Sequence, residues 1–175
     1  MIKKIMRTME RFDLYLFQRF HASHTQSFNT LAVLLTRLGD GPVYAIAVPI
    51  ALFLSFDHPV ALLGVFLLAM GVEKVSYYLL ARYFKRQRPF LKLANQGQGI
   101  APPNEFSFPS GHSSSAFCMA TLLSHYFATL TWVFYATAAA IALSRLVLKV
   151  HFPLDLIAGS TLGFICAYAV LCFFP

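Results

Sequence analysis

Charge is scarce in this sequence: lysine, arginine, aspartate and glutamate make up 12% of its 175 residues, where soluble domains carry about 25%. So few charges cannot cover a water-facing surface. A soluble globular domain is therefore excluded, and the 58% of hydrophobic residues must in part face lipid. Acidic residues are scarcest, seven against fourteen basic, for a net charge of +7. They form no carboxylate cluster suited to Mg²⁺, which prefers oxygen ligands. The basic excess points to anionic partners, either lipid headgroups or phosphates. Nucleic acid is disfavoured, because the basic residues do not form aromatic-interleaved runs. Only three cysteines occur, Cys118, Cys166 and Cys172, all inside apolar runs. There they act as small hydrophobes, so neither a disulfide framework nor a thiolate metal site is expected. The N-terminal stretch MIKKIMRTMERFDLYLFQRF lacks an apolar core ahead of a small-residue cleavage site, so no cleavable signal peptide is expected. Internal repeats and low-complexity tracts are absent too.

What the sequence does have is apolar length. Five segments stand out: Pro42–Phe56, Pro59–Phe84, Ser113–Leu130, Trp132–Val150 and Leu154–Phe174. A membrane-spanning helix needs about 20 residues, so the first is short and the second long enough to tilt. Ser27–Leu38 is a sixth span or an interfacial helix. Residues 1–25 interleave Arg7, Arg11 and Arg19 with Phe12, Leu14, Leu16 and Phe17, the pattern of an amphipathic helix lying on the membrane. Its basic start favours a cytoplasmic N-terminus. The expected architecture is a single all-α domain over residues 1–175, a polytopic membrane bundle of five or six spans with an N-terminal amphipathic helix. Gly159 and Gly163, four apart in the last segment, suit close helix packing.

The few polar residues are concentrated. One long polar connection, Lys85–Glu105, opens with KRQRPF (Lys85–Phe90), and PSGHSSS (Pro109–Ser115) follows it. A second concentration, SRLVLKVHFPLD (Ser144–Asp155), spans the junction of the last two segments. If the helices alternate in direction, all of these meet at one membrane face. The opposite face carries only Asp57-His58 and Thr129-Leu130-Thr131 between helices, with no lysine or arginine. A site for an anion explains that asymmetry, because charge in hydrocarbon costs several kcal/mol unless it is compensated. In PSGH, Ser110 can cap the following helix, whose free N–H groups make an anion site. Arg145 lies near the end of the fourth segment, and arginine binds phosphate oxygens in bidentate fashion. His151 lies in the next turn, with Asp155 placed to fix its tautomer and strengthen it as nucleophile or base. His112 is available to protonate a leaving group. Together these residues describe phosphoryl transfer without a metal.

Ser144-Arg145-x5-His151-x3-Asp155, Pro109-Ser110-Gly111-His112 and Arg88-Pro89 resemble the three signature motifs of the type 2 phosphatidic acid phosphatase superfamily. The resemblance covers about Glu73 to Gly163. It implies that His151 forms a phosphohistidine, that Asp155 orients it and that His112 protonates the leaving alkoxide. Arg88, Ser110, Gly111 and Arg145 would bind the phosphoryl oxygens, with residues 85–112 forming the active-site loop. It also implies no metal or other cofactor and a lipid phosphate or diphosphate substrate. Undecaprenyl diphosphate, phosphatidylglycerol phosphate and phosphatidic acid are the candidates. A bacterial cytoplasmic membrane is implied, with the site facing outward; no oligomeric state is. A lipid phosphotransferase using the same site and a non-catalytic lipid-phosphate-binding protein are the alternatives.

One position departs from the pattern. The family's first motif places a lysine seven residues before Arg88, where this chain has Ala81. Arg82, Lys85 and Lys74 are the candidate replacements, and Arg82 is the expected phosphate-binding cation. Lys74 shares the helical stripe but lies about 10 Å deeper. Glu73 and Lys74 read as a buried structural pair or as residues beneath the active site. His21, His24, His58 and His125 lack matching partners and read as interfacial or packing residues.

Overall fold

The computed structural model describes residues 2–22, 28–92 and 105–174. Helices α1 (Ile2–Ala22), α2 (Phe28–Leu38), α3 (Gly41–Ser55) and α4 (Pro59–Phe84) lead to a short turn of helix, α5 (Pro89–Lys92). Helices α6 (Gly111–Tyr126), α7 (Thr131–Val147) and α8 (Pro153–Leu171) follow. The five apolar segments become α3, α4, α6, α7 and α8, and Ser27–Leu38 becomes α2. Prolines in the first turns of α3, α4 and α8 suit starts where no intrahelical partner awaits the missing N–H. His24 and residues 93–104 of the polar connection lie outside the described residues.

Among the described residues, three helical stretches are long and apolar enough to cross a membrane: Pro59–Phe84, Ala128–Val147 and Pro153–Leu171. Helices α2 and α3, bent by 53° where they meet, add a fourth if they act as one span. Helix α6 has only 16 residues and lies at the centre of the bundle, packed on α4, α7 and α8. The burial pattern is inside out. Leu67 and Leu79 on α4, Trp132 on α7 and Ile157 on α8 are each more than 60% exposed. Glu73, Arg86, Arg88, Arg145, His151 and Asp155 are buried. Charge inside and hydrocarbon outside is the partition a bilayer imposes.

The seam between α6 and α8 holds the bundle's centre together. A Cβ on Gly159 would overlap the Ser110 carbonyl, and one on Gly163 the Ser114 carbonyl. The two backbones approach so closely only because both positions lack a side chain. Helix α1 docks by one narrow stripe, with Asp13 and Phe17 buried while Phe12 and Tyr15 remain exposed. Phe17 meets Phe152 edge to face, ring centroids 5.5 Å apart. The amphipathic helix expected to lie on the membrane thus also grips the turn before α8.

Candidate active site

The site is built on a short piece of extended chain. Lys85 adopts the left-handed conformation (φ 47°) and ends α4, after which Gln87 pairs with Phe106 in an isolated antiparallel bridge. In extended chain, residues two apart point to the same side. Arg86 and Arg88 are accordingly both buried, and both reach the turn between α7 and α8. Arg88 Nη1 donates to the Val150 carbonyl at 3.1 Å and lies 3.2 Å from His151 Nε2. Arg86 lies between two fully buried carboxylates, 2.7 Å from Asp13 and 2.6 Å from Asp155.

His151 is held from its other side. The Ser107 carbonyl lies 2.7 Å from Nδ1, and a carbonyl can only accept, so Nδ1 carries the proton. Nε2 is then the nitrogen with a lone pair, beside Arg88 and on the cavity wall. Burial lowers the His151 pKa to about 4, with Asp155 opposing the shift and Arg88 and Arg145 adding to it. The imidazole is neutral at physiological pH, the form a nucleophile requires. Asp155 is near but is not the closest partner of Nδ1, at 3.6 Å. Its carboxylate instead accepts from the Phe152 N–H at 2.9 Å and pairs with Arg86. The reason is positional: Asp155 is the third residue of α8, where a carboxylate folds back onto the helix start.

Ser110 caps α6 as expected, its Oγ accepting from the Ser113 N–H and from Ser113 Oγ. Its own N–H donates to the Asp155 carbonyl at 2.9 Å. The start of α6 is therefore fastened to the start of α8. Ser110 is fully buried, and its hydroxyl serves the cap; Gly111 is the member of that pair on the cavity wall. His112 lies beside Gly111, its Nε2 3.1 Å from Asp40 at the bend between α2 and α3. Arg145 is buried and donates to Thr36 of α2.

Arg88, Gly111, His112, Arg145 and His151 line one cavity of about 350 Å³, joined by Lys74, Ser115, Asp40 and Tyr77. Of the other expected site residues, Ser110 and Asp155 lie behind the wall, holding α6 and α8, and Arg82 points away from it. Its guanidinium is exposed, bonded to the Tyr78 hydroxyl one turn earlier and stacked over that ring. The helix rotation of about 100° per residue turns it away from the face of Ala81. Lys74, on that face and itself half exposed, lines the cavity, its ammonium bonded to Ser115 Oγ and 3.1 Å from the buried carboxylate of Glu73. An apolar cavity of about 410 Å³ adjoins this one at Tyr44, walled by α3, α6 and α7.

Residues 60–175 match the PAP2 superfamily. The chain belongs to that superfamily. It is 30% identical over 159 residues to the undecaprenyl-diphosphatase of Sulfolobus acidocaldarius, a match spanning 87% of this chain and 73% of that one. To phosphatidylglycerophosphatase B of Bacillus subtilis it is 29% identical over 116 residues, 59% of this chain and 54% of that protein. The crystal structure of Aquifex aeolicus LpxE superposes with a TM-score of 0.77 at 28% identity, covering 91% of this chain and 94% of LpxE. This PAP2 protein is thus an all-helical membrane phosphatase.

Sequence reasoning missed four residues of the site: Asp13, Asp40, Arg86 and Ser107. Arg86 had a legible signal, since Arg-x-Arg in extended chain places both guanidiniums on one side. Asp40 stands between two glycines, Gly39 and Gly41, and signals only a bend. Ser107 acts through its backbone carbonyl, which carries no side-chain signature.

Proposed function

We propose that the protein hydrolyses a lipid phosphate or diphosphate through a phosphohistidine on His151. The observation that carries this reading is a pair of cavities with Tyr44 in the wall of both. One gathers Arg88, Arg145, Lys74 and two histidines, and the other is hydrocarbon-lined and shares Tyr44 with it. A phosphate head with an apolar chain fits both at once.

In the first step the Nε2 lone pair of His151 attacks phosphorus as the bond to the lipid oxygen breaks. That oxygen takes a proton from the cationic form of His112, which the Asp40 carboxylate favours, and Arg88, Arg145 and the Gly111 N–H hold the phosphoryl oxygens. In the second step water attacks phosphorus, His112 takes back a proton, and the N–P bond breaks to release inorganic phosphate. Asp40 fixes the ring of His112, and Ser107 fixes the tautomer of His151. Undecaprenyl diphosphate, phosphatidylglycerol phosphate and phosphatidic acid are the candidate substrates, in a bacterial cytoplasmic membrane with the site on its outer side. The deciding test is phosphate release from a panel of these lipids by purified protein in detergent with EDTA. Activity is expected to survive chelation and to fall with orthovanadate. Strict dependence on added Mg²⁺ would overturn the mechanism, and phosphorylated acceptor without free phosphate would make the protein a phosphotransferase.

Lys74 takes the part of the family lysine missing at Ala81. Lys74→Ala is expected to lower kcat/KM by about tenfold or more, the value of one charge-assisted contact of roughly 1.5–3 kcal/mol. Arg82→Ala, altering an exposed residue bound only to its own helix, is expected to stay within about twofold. The two variants are compared side by side in the phosphate-release assay, and the reverse order of effects would return the role to Arg82.

A further inference from the structure

Asp13 is far in sequence from every motif, yet it is one of the most buried polar residues of the chain. Its Oδ1 accepts the Leu154 N–H at 2.9 Å, in the first turn of α8, and its Oδ2 lies 2.7 Å from Arg86 Nη2. Arg86 Nη1 is 2.6 Å from Asp155 Oδ1, and its guanidinium lies over the Phe152 ring, 4.4 Å from the centroid. The second oxygen of Asp155 is the one 3.6 Å from His151 Nδ1. A buried chain of charge therefore runs from α1 to the imidazole: Asp13, Arg86, Asp155, His151.

The charges in that chain do not balance at rest. Two carboxylates share one guanidinium, leaving one negative charge buried beside a neutral imidazole. Arg88, 3.2 Å from Nε2 on the other side of the ring, offsets part of that charge at rest. Further compensation arrives when Nε2 bonds to phosphorus while Nδ1 keeps its proton, because the ring then carries a positive charge. The phosphoryl group's own negative charge meets Arg88 and Arg145 on the other side.

We infer that Asp13 is a positioning residue for the covalent step: by sharing Arg86 with Asp155, it leaves part of the Asp155 charge to stabilise the phosphoimidazolium of His151. The inference rests on the phosphohistidine reading. In its absence Arg86 would pair wholly with Asp155, and the cluster would be neutral and matched to the resting enzyme. Electrostatics arranged for the charge that develops, and not for the ground state, is what accelerates a step. Helix α1 thereby becomes part of the apparatus that forms the intermediate, although none of its described side chains lines the substrate cavity.

The test uses the full-length protein in detergent and a ³²P-labelled lipid phosphate, quenched in alkali so that phosphohistidine survives. Asp13→Asn keeps an acceptor for Leu154 and removes the charge. It is expected to lower kcat about tenfold or more, to lower the phosphoenzyme formed in a single turnover, and to leave KM little changed. The double variant Asp13→Asn/Arg86→Met restores the single negative charge on Asp155, so it should form phosphoenzyme faster than Asp13→Asn alone. A purely structural role predicts instead that phosphoenzyme per folded protein is the same in Asp13→Asn and in the double variant, only the folded fraction differing. Wild-type kcat in Asp13→Asn, or a folded double variant without phosphoenzyme, would overturn the inference. If Asp13→Asn alone does not fold, the double variant carries the test. Failure of the nucleophile reading would look different: wild-type protein would form no phosphoenzyme, or His151→Ala would keep its activity.

Discussion

Replacing His151 with alanine is expected to abolish turnover, by on the order of 10³-fold or more, as for other nucleophiles without a substitute. Binding of the lipid phosphate should persist, because Arg88, Arg145, Lys74 and the Gly111 N–H all remain on the cavity wall. The histidine that remains there, His112, has its Nε2 on Asp40 and cannot occupy the position of the lost Nε2 beside Arg88. His112→Ala should behave differently. It leaves the nucleophile in place, and phosphoenzyme should build up from a substrate whose leaving group departs without a proton. Single-turnover labelling separates the two variants. Residual activity above about a tenth of wild type in His151→Ala would remove it from the role, since nucleophile loss costs far more.

The largest effect on stability is expected away from the chemistry, at Gly163. A leucine there would collide with the Ser114 carbonyl and the Cys118 amide, backbone atoms of α6 that cannot rotate aside. Overpacking of this kind costs about 3 kcal/mol or more. Relief can come only from displacing α8, whose first turn carries Asp155 and receives the Ser110 N–H. Gly163→Leu should therefore lower the unfolding temperature in detergent and lose activity together. Ile165→Ala, at an exposed position of the same helix, provides the control and should change neither much. A Gly163→Leu protein with wild-type unfolding temperature would mean that the seam is looser than its geometry requires.

The helices were legible because hydrophobic length is a strong signal. The five apolar segments anticipated α3, α4, α6, α7 and α8 to within a few residues. What length could not convey was depth, so α6 read as an ordinary span although it is short and central. The site was legible where chemistry resides in side chains at regular spacing. Arg88, Gly111, His112, Arg145 and His151 do meet around one cavity, and Ser110 does cap α6. It was not legible where contacts depend on chain path. Ser107 contributes a carbonyl across the Gln87–Phe106 bridge, Asp40 arrives from a bend, and Asp13 comes from a helix read only as amphipathic. Arg82 was favoured because it is next to the missing lysine in sequence. On a helix that proximity means a turned-away side chain, whereas Lys74, seven residues from Ala81, remains on the same stripe.

That seven-residue offset bears on how enzymes of this kind change over time. A long side chain converts a sequence position into a reachable volume, and volumes from successive turns of one helix overlap. Selection acts on whether a cation reaches the phosphate, not on which codon supplies it. A lysine could thus be lost at one turn once another covers the same space, the part proposed here for Lys74, whose ammonium Glu73 and Ser115 hold. A strict pattern requiring lysine at the position of Ala81 would class this chain as degenerate. A criterion phrased as an ammonium within the cavity would keep it among the active enzymes.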